Sequence, residues 1–261
     1  MKGRLSFTAA RSSGTTKLAH SFFTPPFNLA GLSLKGAETL QLMMRSSSPG
    51  ILDGDEYEID IELQEGARVE LSTQSFQRLF DMKAGASQTT RICLSADASL
   101  EYIAHPCVPH RNAIFRASTF IELHETSRLM YGEIFTCGRA LNGEAFLFTL
   151  YQSRLEIRVN EKLQLKENLR IAPHESAVLG TGMLENHTHQ AALTCVDAPL
   201  ELIELEKLIA SRLDHAGNIT AGVSRPAKNI LVLRLLGYSA YKLYDLLIEI
   251  SSLRKKLPAD S

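Results

Sequence analysis

Residues 56–63 read Glu-Tyr-Glu-Ile-Asp-Ile-Glu-Leu, an unbroken alternation of acidic and apolar side chains. Successive side chains of an extended chain point to opposite faces, so Tyr57, Ile59, Ile61 and Leu63 share one face and Glu56, Glu58, Asp60 and Glu62 the other. This is a strand with one side in a core. A turn follows at Glu65-Gly66, and then Ala67-Arg68-Val69-Glu70-Leu71 opens a second strand. Similar phrasing returns at Ala98-Ser99-Leu100-Glu101-Tyr102 and at Ser127-Arg128-Leu129-Met130-Tyr131. With Val69, Leu100 and Leu129 aligned, the spacings are 31 and 29 residues. Repeats of that size predict strands stacked on one another by a coiling chain.

Further strands are expected over 113–123, 128–137, 145–159 and 162–171, with turn chemistry at Asn142-Gly143 and at Asn160. The character changes at Asp197-Ala198-Pro199, where proline at a helix start precedes a stretch with Leu202, Leu205, Ile209 and Leu213 along one side. A connection containing Gly217 and Gly222 leads to the apolar run Ile-Leu-Val-Leu-Arg-Leu-Leu, read as a buried strand. After Gly237, residues Tyr241, Tyr244, Leu247, Ile248 and Leu253 mark a closing helix whose basic end, Arg254-Lys255-Lys256, suits a helix C-terminus. The expected fold is mainly β: an elongated domain of stacked or coiled strands with two C-terminal α-helices packed on it. It is read as one domain over 1–261, mostly β over 1–196 and helix–strand–helix over 197–261.

The 28 basic and 29 acidic residues nearly cancel, and no Lys/Arg block forms a stripe. Attraction to nucleic acid or to an anionic membrane therefore has no visible source, and protein partners or small uncharged ligands fit better. No apolar run follows the basic residues of the first segment, and none approaches the ~18 residues of a membrane span. A cytoplasmic location is expected. Cys93, Cys107, Cys137 and Cys195 are scattered, which predicts free thiols in a reducing compartment.

The common nucleotide-binding, hydrolase and metalloprotease motifs are absent. Asp53-Gly54-Asp55 starts like a calcium loop, but Glu58 stands where that loop needs glycine. His187-x-His189 could present two imidazoles on one side of an extended segment, or lie in a solvated polar loop. His105-Pro-Cys-Val-Pro-His110 holds two histidines and Cys107, ligand types suited to zinc or nickel. Its two prolines point rather to a fixed turn carrying a partly buried thiol. Glu133, Arg139 and Glu144 flank an expected hairpin, either as an acid–base group or with Arg139 and Glu144 as a cross-hairpin ion pair.

Several of these stretches, in order, resemble the urease accessory protein family UreD, called UreH in some bacteria. Gly50-Ile-Leu-Asp-Gly54-Asp55 resembles its G-G-[LIV]-x-G-G-D turn, with Pro49 and Asp53 at two of the glycine positions. Ser72 to Phe80, with Gln74 and Arg78, is similar to its T-T-Q-[AS]-x-x-[KR]-[VIL]-[YF] segment. Gly132-Glu133, Gly138-Arg139 and Gly143-Glu144-Ala-Phe146 resemble its G-x-E…x-G-R…G-E-x-F pattern, and Leu233-Arg234-Leu-Leu-Gly237 its V-x-R-x-L-G strand. Where relatives carry a Trp-Leu-Pro-Gln-like stretch, this chain has Tyr102-Ile-Ala-His-Pro-Cys107.

The resemblance implies a non-enzymatic, β-rich, helix-capped scaffold that binds a UreF-like protein and, through it, a UreG-like GTPase. It further implies docking on the urease apoprotein and help with nickel incorporation. No tightly bound cofactor is expected, and nickel would pass in transit. Asp55, Glu133 and Glu144 are candidates to line its path, with His105, Cys107 and His110 as further transient contacts. The rival reading from residue types alone is a self-sufficient metal-binding protein or metalloenzyme using His105, Cys107 and His110.

Overall fold

Strands that are apolar on one face need a second layer over that face, and here the layers are two facing sheets. The computed structural model describes residues 1–33, 36–213 and 217–255. The chain opens with β1 (Lys2–Ser12), β2 (Thr15–Phe23), β3 (Phe27–Gly31) and β4 (Leu40–Ser46). It continues with β5 (Glu56–Leu63), β6 (Arg68–Thr73), β7 (Gln77–Leu79), β8 (Ala86–Leu94), β9 (Ser99–Ile103), β10 (Cys107–Pro109), β11 (Ile114–Leu123) and β12 (Arg128–Thr136). Then come β13 (Leu150–Val159), β14 (Lys162–Ile171), β15 (His189–Val196), α1 (Pro199–Leu213), β16 (Thr220–Ala227), β17 (Ile230–Gly237) and α2 (Ala240–Lys255).

The first sheet has the order β14-β13-β11-β8-β5-β1-β2, and the second β16-β17-β15-β12-β9-β6-β4-β3, with β7 and β10 attached beside it. From β4 to β13 the chain shuttles between the sheets, and each excursion lays one parallel strand on the last. The alignment read from spacing is the register itself: Val69 pairs with Leu100, and Leu100 with Leu129. The first sheet keeps an equivalent row, Leu63, Leu94, Leu123 and Val159. These rows face each other across the core, and burying each such side chain contributes roughly 1.5–3 kcal/mol.

Both helices cover the outer face of the second sheet. α1 buries Leu202, Leu205 and Ile209, the face expected from its spacing, and α2 buries Leu243, Leu246, Leu247 and Ile250. Arg254 closes the helix pair by pairing with Asp197 and Glu201. Tyr241 and Ile248, expected as markers of α2, turn toward solvent. Lys256 lies outside the described residues.

Three expectations need correction. The connection around Gly222 is a strand, β16, hairpinned to β17, so helix–hairpin–helix replaces helix–strand–helix. Gly222 and Pro226 hid it, and most of its side chains are exposed, leaving no alternation to read. The strand expected from 145 begins at Leu150. Glu133 to Glu144 is not a hairpin either, because β12 belongs to the second sheet and β13 to the first. A short 3-10 turn, Ala140–Asn142, bends the connection between them.

Candidate functional site

Because the coil strands are parallel and in register, all connections from the second sheet to the first emerge on one side. Residues 47–55, 74–85, 104–113 and 137–149 contain nearly every motif singled out above. In the first of these, the Ile51 amide donates to the Arg78 carbonyl at 2.8 Å, and a Cβ on Gly50 would collide with that same oxygen. Asp53, in place of a family glycine, accepts the Ala84 and Gly85 amides at 2.8 Å each. Asp55 is buried and receives the Met1 amino group at 2.7 Å, and the Leu52 amide and Tyr57 hydroxyl at 2.8 Å each. Burial works against its ionisation, but these donors outweigh it and hold the carboxyl below its ordinary range.

Gly138 has φ +115°, and a Cβ there would stand 2.7 Å from the Pro109 carbonyl oxygen and 2.8 Å from that of Glu144. Only glycine fits such a position without strain. It lets Arg139 fork onto Glu144, with Nε to Oε2 at 2.9 Å and Nη2 to Oε1 at 2.7 Å. The hydrogen bonds from the Arg139 guanidinium hold the Glu144 carboxyl below its ordinary range. Arg139 and Glu144 thus form the expected ion pair, within one connection rather than across a hairpin.

Beneath these connections, between the sheets, lies a cavity of about 150 Å³. Exposed Ser46, Pro49, Gln74 and Ser75 mark its mouth, and buried Tyr102, Tyr131 and Tyr151 with half-buried Glu133 its inner end. Glu133 accepts the Tyr131 hydroxyl at 2.9 Å and the Ser153 hydroxyl at 3.1 Å. Burial raises its carboxyl above the ordinary range, the two hydroxyls oppose this, and nearby Glu167 adds to the rise. Cys107 lies in the same wall, and burial followed by the Glu133 charge pushes its thiol upward. It is therefore a protonated thiol at neutral pH.

His105-Pro-Cys-Val-Pro-His110 does not gather its three ligands. His105 bonds Thr73 through Nδ1 at 2.9 Å and stacks on Tyr244 with ring centres 4.5 Å apart. His110 packs edge-on against Phe80 and is not part of the cavity wall. The reason is β10, whose extended backbone pairs with β7 and spreads the flanking histidines apart. His187 and His189 also diverge: His187 stacks on Tyr238 and approaches Thr220, while His189 is buried beside Thr188. Among the described residues no three His, Cys, Asp or Glu side chains come together as a metal-holding group.

A profile of the family described as UreD urease accessory protein matches residues 1–260. The chain belongs to the UreD family. It is 38% identical over 247 residues to a urease accessory protein UreD of Flavobacterium johnsoniae, covering 94% of this chain and 89% of the relative. A UreD protein of Haemophilus influenzae is 34% identical over 98% of this chain and all of its own. One of Acetivibrio thermocellus is 34% identical over 94% of each.

In this UreD-family chain the three acidic candidates have separate settings. Glu133 lines the cavity, Asp55 touches it through Tyr57, and Glu144 sits outside it on Arg139 and Arg111. At the mouth, Phe76 and His105 meet the helix: Phe76 lies 4.8 Å from Tyr241, which is 67% exposed. The motif residue Arg234 pairs with Glu167. Glu167 was missed, although a signal existed. Glu133, Glu167 and Arg234 each occupy the inward phase of an alternating strand, flanked by Tyr131 and Phe135, Leu165 and Leu169, Val232 and Leu236.

No helix among the described residues is long and apolar enough to cross a membrane. All four cysteines are free thiols.

Proposed function

We propose that the chain serves urease maturation as a non-enzymatic scaffold. It binds a UreF-like protein and, through it, a UreG-like GTPase, docks on the urease apoprotein, and hands nickel onward through its interior. The observation that carries this reading is the cavity between the sheets. Motif segments surround its mouth, and a half-buried carboxyl stands at its far end. The two hydroxyls on Glu133 can rotate, so the carboxylate can exchange them for a cation and recover them when it leaves. Such contacts are few and weak, which suits transit rather than storage.

Partner contact is supported by the aromatic group at the mouth. Half-buried Phe76, His105 and Tyr244 with exposed Tyr241 join the motif segment after β6 to α2, and an aromatic cluster with an exposed anchor supplies binding energy at protein interfaces. The nickel ion is cargo here, and its receiver is the apoprotein.

Co-expression with UreF-like and UreG-like proteins and urease subunits tests the proposal. The chain is expected to elute in one complex with them, and urease in cells lacking it to contain little nickel. Migration of the chain alone, with fully nickel-loaded urease in its absence, would overturn the scaffold reading.

A further inference from the structure

Three charged side chains interrupt the inward apolar phase of their strands, and the fold brings them together. Glu133 on β12 is in register with Ala192 on β15, and Ala192 with Arg234 on β17. Side chains in register on neighbouring strands project from the same face, here the one toward the first sheet. Opposite them, Glu167 on β14 reaches Arg234, with Oε1 2.5 Å from Nη2. This ion pair joins the edge strand of the first sheet to the second. A second cavity of about 30 Å³ lies between Glu133 and Glu167, and Glu133 and Tyr151 line both it and the larger one. Ala192, with a single methyl, also lines the small chamber and stands in register between Glu133 and Arg234.

The two members of the pair differ in access. The Glu167 side chain is 18% exposed and lines the chamber, whereas that of Arg234 is 56% exposed and faces out. On the proposed reading that nickel passes between the sheets, we infer that Arg234 is a latch on the far end of the passage. While it holds Glu167, it neutralises the carboxylate that a cation leaving Glu133 would meet next. It also places a positive charge across the outlet. An ion pair so open to water is weakly held, so a partner can exchange it readily. The partner chemistry that fits is an acidic side chain on the nickel-receiving protein, which draws the guanidinium outward. Two carboxylates then face the small chamber without their counter-charge, and a divalent ion is drawn forward. The family motif accounts for the arginine, and the latch gives that arginine a task.

The test uses the assembly of this chain with its UreF-like and UreG-like partners, loaded with nickel and kept without urease apoprotein. Released metal is read with a chromophoric nickel chelator. Arg234→Ala is expected to release nickel about tenfold faster than wild type, in the range of ordinary coupling between sites, and Arg234→Lys to stay near wild type. Arg234→Met, which keeps the apolar stem, replaces the alanine variant if that one fails to assemble. Release by an assembled Arg234→Ala or Arg234→Met complex at the wild-type rate would overturn the latch. Glu133→Gln and Ala117→Leu, which alter the large cavity, separate the two ideas. If both leave urease activation unchanged, the passage falls and the latch with it. If both block activation while the Arg234 variants release normally, the latch alone falls.

Discussion

The two sides of the β coil are built to different ends. On one side the chain returns from the first sheet to the second through turns 64–67, 95–98 and 124–127, which stack on each other. The Ser99 amide donates to the Ala67 carbonyl and the Arg128 amide to that of Ala98, each at 2.8 Å. Ala67, Ala98 and Ser127 fill the same buried position with small side chains. On the other side the connections are long, carry the glycine and charge motifs, and enclose a cavity. Repetition serves the first side, where identical geometry lets each turn support the next. Irregularity serves the second, where hydrogen bonds such as Asp53 to Ala84 and Gly85 hold unlike loops in place. On the proposed function, packing is the task of the repeating rows, and partner and metal contact that of the side that departs from them.

The two sides should fail differently. Leu100→Ala, in the middle of the Val69–Leu100–Leu129 row, should cost about 2–5 kcal/mol in denaturant unfolding, because a fully packed row cannot close over the hole. Gly138→Ala, on the motif side, should cost about 1–3 kcal/mol through its positive φ. It should weaken partner assembly more than that loss explains, since it disturbs the Arg139–Glu144 fork; equal assembly with wild type would contradict the division.

Acid should also act through the motif side. Burial pulls His189 to about 4, and burial lowers His105 and His110 as well. A histidine held neutral in the fold takes up its proton more readily when unfolded. Its stabilising effect is therefore whole above the ordinary pKa near 6.5, falls as pH drops toward 4, and is lost below that. For His189 the swing is of order 3 kcal/mol, and His189→Gln should flatten that part of the stability–pH curve. The smallest effect belongs to Glu125→Ala, at an exposed turn tip, which should change stability by less than about 0.5 kcal/mol and leave urease activation untouched.

The repeating side was legible in the sequence because alternation and spacing are local signals. Tyr57 to Leu63 announced a half-buried strand, and the 31- and 29-residue steps located the register of β6, β9 and β12. Helix α1 was equally plain from Leu202, Leu205 and Ile209. The site was only partly legible. Glu133 and Arg234 stood out through the family pattern, but their neighbourhood depends on β15 lying between β12 and β17, a pairing that no local rule supplies. Glu167 belongs to no motif, and its only signal is that it shares the inward phase of Leu165 and Leu169. His105, Cys107 and His110 misled in the opposite direction. Closeness in sequence suggested one site, and an extended strand pulled them apart.

Passage of nickel to urease by way of the half-buried Glu133 carboxyl between the sheets is put to the test by Glu133→Gln in a reconstituted activation assay. The glutamine keeps the size of the side chain and its bonding to Tyr131 and Ser153 but lacks the negative charge. The variant complex should assemble with all its partners and melt like wild type, yet load nickel into the urease apoprotein at least about tenfold more slowly, a loss of roughly 1.4 kcal/mol or more in transfer. Nickel loading at the wild-type rate by that variant would contradict it.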